Sequence, residues 1–254
     1  MVRSGICALC RRWQDTLCES HFLPKGVYKI IGNHHSPGPV LLTRDREEAI
    51  SCQAKRPLLC LDCEGRFNTR GENWTLKACA CQDGFKLREI LLTQRADPLA
   101  SGLFGFDCAE IPYLDTATLS YFAISIIWRA AACRWRINGV EIGQIDLGIY
   151  AESFRQYLLG TSGLPSNTVV SVVVSSLETV PMVATFPQSN RLDGYRTHFF
   201  SIPGLDFTVD VGSRLPDAVR ELCISRGSLI YGSLAENEVR AAMLSLMKSR
   251  QRTR

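Results

Sequence analysis

Several things are missing from this 254-residue chain, and each absence removes a class of protein. The N-terminus carries no apolar core of the kind a secretory signal has, so no signal peptide is expected and a cytoplasmic setting fits. No stretch reaches the roughly 20 apolar residues that a membrane helix needs. The most apolar run, residues 119–135 (LSYFAISIIWRAAACRW), is short and broken by Arg129, and reads instead as a helix buried on most sides. There is no internal repeat, low-complexity tract or heptad, so neither a solenoid nor a coiled-coil dimer seam is expected, and a homodimer would need another surface. The eleven cysteines are not spread as a disulfide framework: two pairs sit at metal-ligand spacing, which suits a reducing compartment.

What is present is ordinary for a globular protein, with 46% hydrophobic and 21% charged residues. The length allows one large domain or two moderate ones. The net charge of +4 conceals a division. Residues 1–96 hold fifteen Lys/Arg against ten Asp/Glu, residues 97–247 hold ten against fifteen, and the last seven residues add four more positive charges. A polyanion would be drawn to the first third and to the tail.

The chemistry concentrates in residues 7–74. Cys7-Ala-Leu-Cys10 and Cys60-Leu-Asp-Cys63 are two CxxC units about fifty residues apart. Each supplies two thiolates from one tight turn, as a tetrahedral structural zinc requires. Between them lies Ser20-His21-Phe-Leu-Pro24-Lys25. After the second unit a helix is predicted from about Asp62 to Trp74, with Glu64, Asn68 and Glu72 at i, i+4 and i+8 on one face. Cys79-x-Cys81 is an alternative ligand pair, and Cys18 and Cys52 are spare.

This arrangement resembles the HNH (ββα-metal, treble-clef) endonucleases, closest to a bacterial group with the pattern CxxC…SHxxPK…LLCxxCE and a Trp-Arg helix downstream, here Trp128-Arg129. The resemblance implies that His21 is the general base for hydrolysis of a nucleic-acid phosphodiester. It implies that Asn33 orients the histidine loop. Where the family has a metal ligand just before the histidine, this chain has Ser20; at the usual ligand histidine after the second CxxC it has Glu64. An oxygen set of Glu64, Asn68 and Glu72 would then hold Mg²⁺ or Mn²⁺, while Lys25, Arg66 and Arg70 would contact nucleic acid. His34 and His35 read as exposed loop residues. Arg129, charged within an apolar helix, requires a buried ion-pair partner or a groove.

Beyond residue 97 the pattern changes. Residues 97–112 read as a linker, and a helix at 151–159 is closed by Gly160. Strands are predicted at 169–174, 180–186, 195–202 and 205–211, the last two joined by Pro203-Gly204. A short helix at 216–224, a strand at 229–231 and a terminal helix capped by Ser233 complete the reading. The fold class expected is α+β: a zinc-bound treble-clef module over 1–97 and a larger α+β domain with an antiparallel sheet over 98–254. The function expected is a metal-dependent HNH-like endonuclease acting on nucleic acid, with DNA favoured, in anti-phage defence. The alternatives are a non-catalytic zinc-stabilised module binding nucleic acid or protein, or a subunit inert without a partner protein.

Overall fold

The chain opens in an antiparallel hairpin, β1 (Arg3–Ile6) and β2 (Trp13–His21), followed at once by α1 (Lys25–Gly32). Val27, Tyr28 and Ile31 form the buried side of α1. The short pair β3 (Val40–Leu42) and β4 (Glu47–Ala49) precedes β5 (Lys55–Leu59), which returns antiparallel to β2. Next, α2 (Leu61–Phe67) runs through a single π turn, Asn68–Glu72, into α3 (Asn73–Ala78), and α4 (Lys86–Leu91) follows. The computed structural model describes residues 3–32, 40–42, 47–49, 53–81, 83–100, 102–137, 140–175 and 184–233. Asn33, His34, His35 and Cys52, residues 180–183 of the strand expected at 180–186, the terminal helix and the basic tail fall outside these residues.

The second part is mixed as well. In order come β6 (Asp97–Ala100), β7 (Leu103–Asp107), α5 (Thr116–Ala132), β8 (Trp135–Ile137), β9 (Val140–Gly143), α6 (Tyr150–Leu159) and β10 (Thr168–Ser175). They are followed by β11 (Ala184–Thr185), β12 (Gln188–Leu192), β13 (Tyr195–Ile202), β14 (Leu205–Gly212), α7 (Asp217–Glu221) and β15 (Leu229–Ser233). Seven strands form one sheet in the order β12-β13-β14-β10-β15-β7-β6, antiparallel except where β10 meets β15. The class is α+β, with antiparallel and mixed sheets. Residues 97–112, expected as a linker, are instead largely edge of this sheet. Pro98 is tolerated because β6 is the outermost strand and owes no N–H to a further neighbour.

Helix α5 forms because Asp115 caps it, its side chain accepting from the Thr118 amide at 2.8 Å, and because every residue from Leu119 to Ala130 is buried. On one side Phe122 meets Phe207 and Phe200 of the large sheet, with ring centroids 5.5 and 6.2 Å away. On the other, Tyr121 and Trp128 pack edge-on against Phe67 of α2, each at 6.1 Å. The π turn approaches closely: a Cβ on Gly71 would sit 3.2 Å from the Phe122 Cα, so a side chain here would force the two elements apart.

One buried cluster therefore runs from Cys7 to Ile230. Across the boundary at residue 97, Phe22 packs between Trp135 and Phe186, at 5.4 and 4.8 Å, and β3 pairs parallel with β11. No helix among the described residues is long and apolar enough to cross a membrane.

His198 on β13 is fully buried, and Ser189 Oγ lies 2.6 Å from its Nδ1. Burial, then the nearby Arg196 charge, pulls its pKa down to about 4 from the ordinary 6.5. The unfolded chain therefore takes up a proton first, so its stabilising contribution is complete above about pH 6.5 and is lost as pH falls toward 4. By pH 5 the loss should reach about 2 kcal/mol. Urea midpoints at pH 7.5 and 5 should show a larger drop for the native chain than for His198→Leu; equal drops would refute this account.

Candidate metal centre and the buried arginine beside it

The first CxxC unit is the turn between β1 and β2. The Cys7 amide donates to Arg12 O at 3.0 Å, the Arg11 amide to Cys7 O at 2.8 Å, and Arg11 takes a left-handed φ of 59°. The second unit starts α2: Cys60 is its N-cap, and Cys63 lies in the first turn. The Ala8 amide donates to Leu58 O at 3.0 Å and so holds the two units together. The Sγ atoms of Cys7, Cys10, Cys60 and Cys63 all lie within 4.8 Å of one another, with Cys10 and Cys60 3.9 Å apart.

A tetrahedron of Zn–S bonds about 2.3 Å long has S···S edges of about 3.8 Å, so the cluster has the size zinc requires. The Cys60 amide points at Cys7 Sγ from 3.3 Å, a bond that favours the thiolate. As bare thiols, Cys7 and Cys63 oppose each other. A hydrogen bond from Cys63 pulls Cys7 down to about 4, and the Cys7 thiolate with burial pushes Cys63 far up. A divalent ion removes this conflict by admitting every sulfur as a thiolate. The residues fit zinc, closed by four ligands and hence structural. Among the described residues no other group of three or more metal-ligating side chains converges. Cys79 is buried apart, its thiol pushed up by burial, and Cys81 donates to Gly84 O.

The Cys7–Cys10 turn is also tied to α6. Arg155 Nη1 donates to Leu9 O at 2.5 Å, and Arg11 pairs with Glu152 at 2.5 Å.

His21 ends β2 and is half-buried, beside Tyr28 at 6.4 Å. Its pKa is lowered by burial, with Lys55 and Arg129 acting the same way, while a Gln53 hydrogen bond and the Glu64 carboxylate oppose. The ring is therefore neutral near pH 7. Its Nε2 is buried with no partner among the described residues, as is Oε1 of Glu64. Ser20 is fully engaged in the fold, its Oγ accepting from the Leu59 amide at 3.2 Å across a bulge in the ladder.

The Glu64, Asn68 and Glu72 set is divided. Glu72 is buried and bonded to Arg129 Nη2 at 2.5 Å; Glu64 Oε2 lies 3.9 Å from the same nitrogen. Asn68 is exposed. The π turn adds a residue between α2 and α3, so the i, i+4, i+8 register of a pure α-helix does not apply. Arg129 thus has the buried ion-pair partner that its sequence position requires. It also lies 4.7 Å from the Phe67 ring centroid and donates weakly to Phe22 O at 3.4 Å. Its own carbonyl accepts from Trp135 Nε1 at 2.8 Å. Lys25 is exposed at the start of α1, whereas the guanidinium groups of Arg66 and Arg70 lie close to Gly160, the C-cap of α6.

No family model, curated protein or solved structure matches this chain.

Two outcomes follow. Purified protein should contain one zinc per chain, and cobalt in its place should give thiolate charge-transfer absorption. Cys60→Ser should lose the metal and unfold the region around it, since structural zinc supplies on the order of 10 kcal/mol. An unchanged melting curve in that variant would refute the assignment. Separately, Arg129→Ala leaves Glu72 buried without its counter-charge and should cost about 3–5 kcal/mol. Arg129→Met combined with Glu72→Met should recover most of that in urea melts.

Proposed function

We propose that this protein is a metal-dependent, HNH-like endonuclease hydrolysing nucleic-acid phosphodiester bonds, with a zinc-bound treble-clef module as its catalytic part. The observation that carries the reading is the pair of buried, unpartnered polar atoms, His21 Nε2 and Glu64 Oε1. They belong to the two elements, β2 and α2, that the cysteine cluster joins. Buried polar atoms without partners are rare in folded proteins, and a bound substrate or water would satisfy each of them.

In this reading neutral His21 takes a proton from water at Nε2 as the water oxygen attacks phosphorus. Glu64, whose charge already favours the protonated ring, stabilises the imidazolium that forms. A Mg²⁺ or Mn²⁺ ion would rest on Glu64 with water and phosphate oxygens completing its shell, and would neutralise charge on the leaving oxygen. Asn68 and Glu72 do not suit that ion as they stand, one exposed and the other held by Arg129. A role in anti-phage defence belongs to this proposal and rests on the sequence resemblance.

The same division of ligands favours a second reading, a non-catalytic zinc-stabilised module that binds nucleic acid. Plasmid nicking with Mg²⁺ or Mn²⁺ separates the two. His21→Ala should lower the rate by roughly 10²–10⁴ while retaining zinc and the native melting temperature. Full activity in His21→Ala would remove His21 as the base. Binding without hydrolysis under any divalent ion would support the second reading.

A further inference from the structure

Arg66 and Arg70, four residues apart on α2 and the π turn, converge on the C-terminal end of α6. A Cβ placed on Gly160 would meet Arg70 Nη1 at 2.9 Å and Arg66 Nη1 at 3.4 Å, so both guanidinium groups lie over one point. Gly160 has φ of +80°, and its missing side chain is what leaves this space open. Among the described residues neither arginine has a carboxylate within salt-bridge distance. Arg66 Nε is buried with no hydrogen-bond partner.

The bland account is that two cations sit at the negative end of a helix dipole. Three of the last four carbonyls of α6, however, already have partners. Gln156 O accepts from the Thr161 amide and hydroxyl, Tyr157 O from the Gly160 amide, and Leu158 O from Tyr121 Oη at 2.8 Å. Neither guanidinium hydrogen-bonds to these carbonyls. Two like charges are held together with their donor forks unfilled, beside the phenols of Tyr121 and Tyr157. An oxyanion is the ligand that such a pair of forks recognises.

We propose that Arg66 and Arg70 form a site for a backbone phosphate of a nucleic-acid strand. Arg66 follows Glu64 by two residues on α2, which turns it about 200° around the helix axis, so the site would position the strand without taking part in hydrolysis. The choice of a nucleic acid over other anions rests on the function proposed above and on the positive first third of the chain.

The test is fluorescence anisotropy of the zinc-loaded full chain with a labelled 20-base-pair DNA duplex and its single strand, without added Mg²⁺, from 50 to 250 mM NaCl. Arg66→Gln with Arg70→Gln should weaken binding at least about 10-fold at 100 mM salt and flatten the log–log salt slope by roughly 1 to 2. Arg66→Lys with Arg70→Lys should keep most of the slope. If the double glutamine variant melts early, the exposed Arg70→Gln alone should still flatten it. Unchanged affinity and slope, or no binding by the native chain, would overturn the site. Nicking run in parallel separates the two proposals. Nicking with an unaltered slope overturns this site alone, whereas arginine-dependent binding without nicking upholds this site and overturns the nuclease.

Discussion

A single positive charge in an apolar helix sets the terms for this structure. Arg129 is 1% exposed within α5, and a charge so placed must be met by partners that cannot be water. The partners come from the first third of the chain: the Glu72 and Glu64 carboxylates, the Phe67 ring and the Phe22 carbonyl. Desolvation offsets much of what such a pair gains, so it is no large reservoir of stability. Its effect is on register. Apolar contacts alone would let α2 and α3 slide along α5 at little cost, whereas a bidirectional demand between Arg129 and Glu72 allows one placement. The close approach at Gly71 and the edge-on contacts of Phe67 then fill the space that this placement leaves.

The cysteine cluster is the second constraint, and it acts where the first does not reach. Most of β2 is exposed or half-buried, so the hairpin has little core with which to hold itself on α2. Four cysteines placed to share one ion would supply the missing cohesion, and the Arg155 and Arg11 contacts to Leu9 and Glu152 fasten the Cys7–Cys10 turn to α6. His21 sits at the end of the strand these contacts fix, one residue before the Phe22 carbonyl that Arg129 reaches. Its position is thus determined from both ends.

Sequence spacing was enough for features whose cause is local. The CxxC pairs, the apolar run of α5, the Gly160 cap and the Pro203-Gly204 turn each carry their reason within a few residues. Residues 97–112 were not legible as strands, because Pro and Gly there signal a loop and only the position at a sheet edge makes them acceptable. The π turn was invisible for a related reason. Nothing in Asn68–Glu72 calls for it; it serves contacts with a helix some fifty residues later. Reading Glu64, Asn68 and Glu72 as one face assumed uninterrupted α geometry, and it could not include a cation supplied from α5.

That cation bears on what the site can do. An arginine and a divalent ion are alternative ways to compensate clustered carboxylates, and here the arginine is built in. Glu64 and Glu72 carry two negative charges, and Arg129 returns one, so the surroundings of His21 attract a cation less strongly than a free pair of carboxylates would. One oxygen of Glu64 remains uncommitted. A divalent ion seated there would draw most of its ligands from water and from a substrate phosphate, so its affinity would depend on the substrate being present. In such an arrangement the metal and the phosphate would bind as a unit, and the protein's own contribution would be one histidine and one carboxylate.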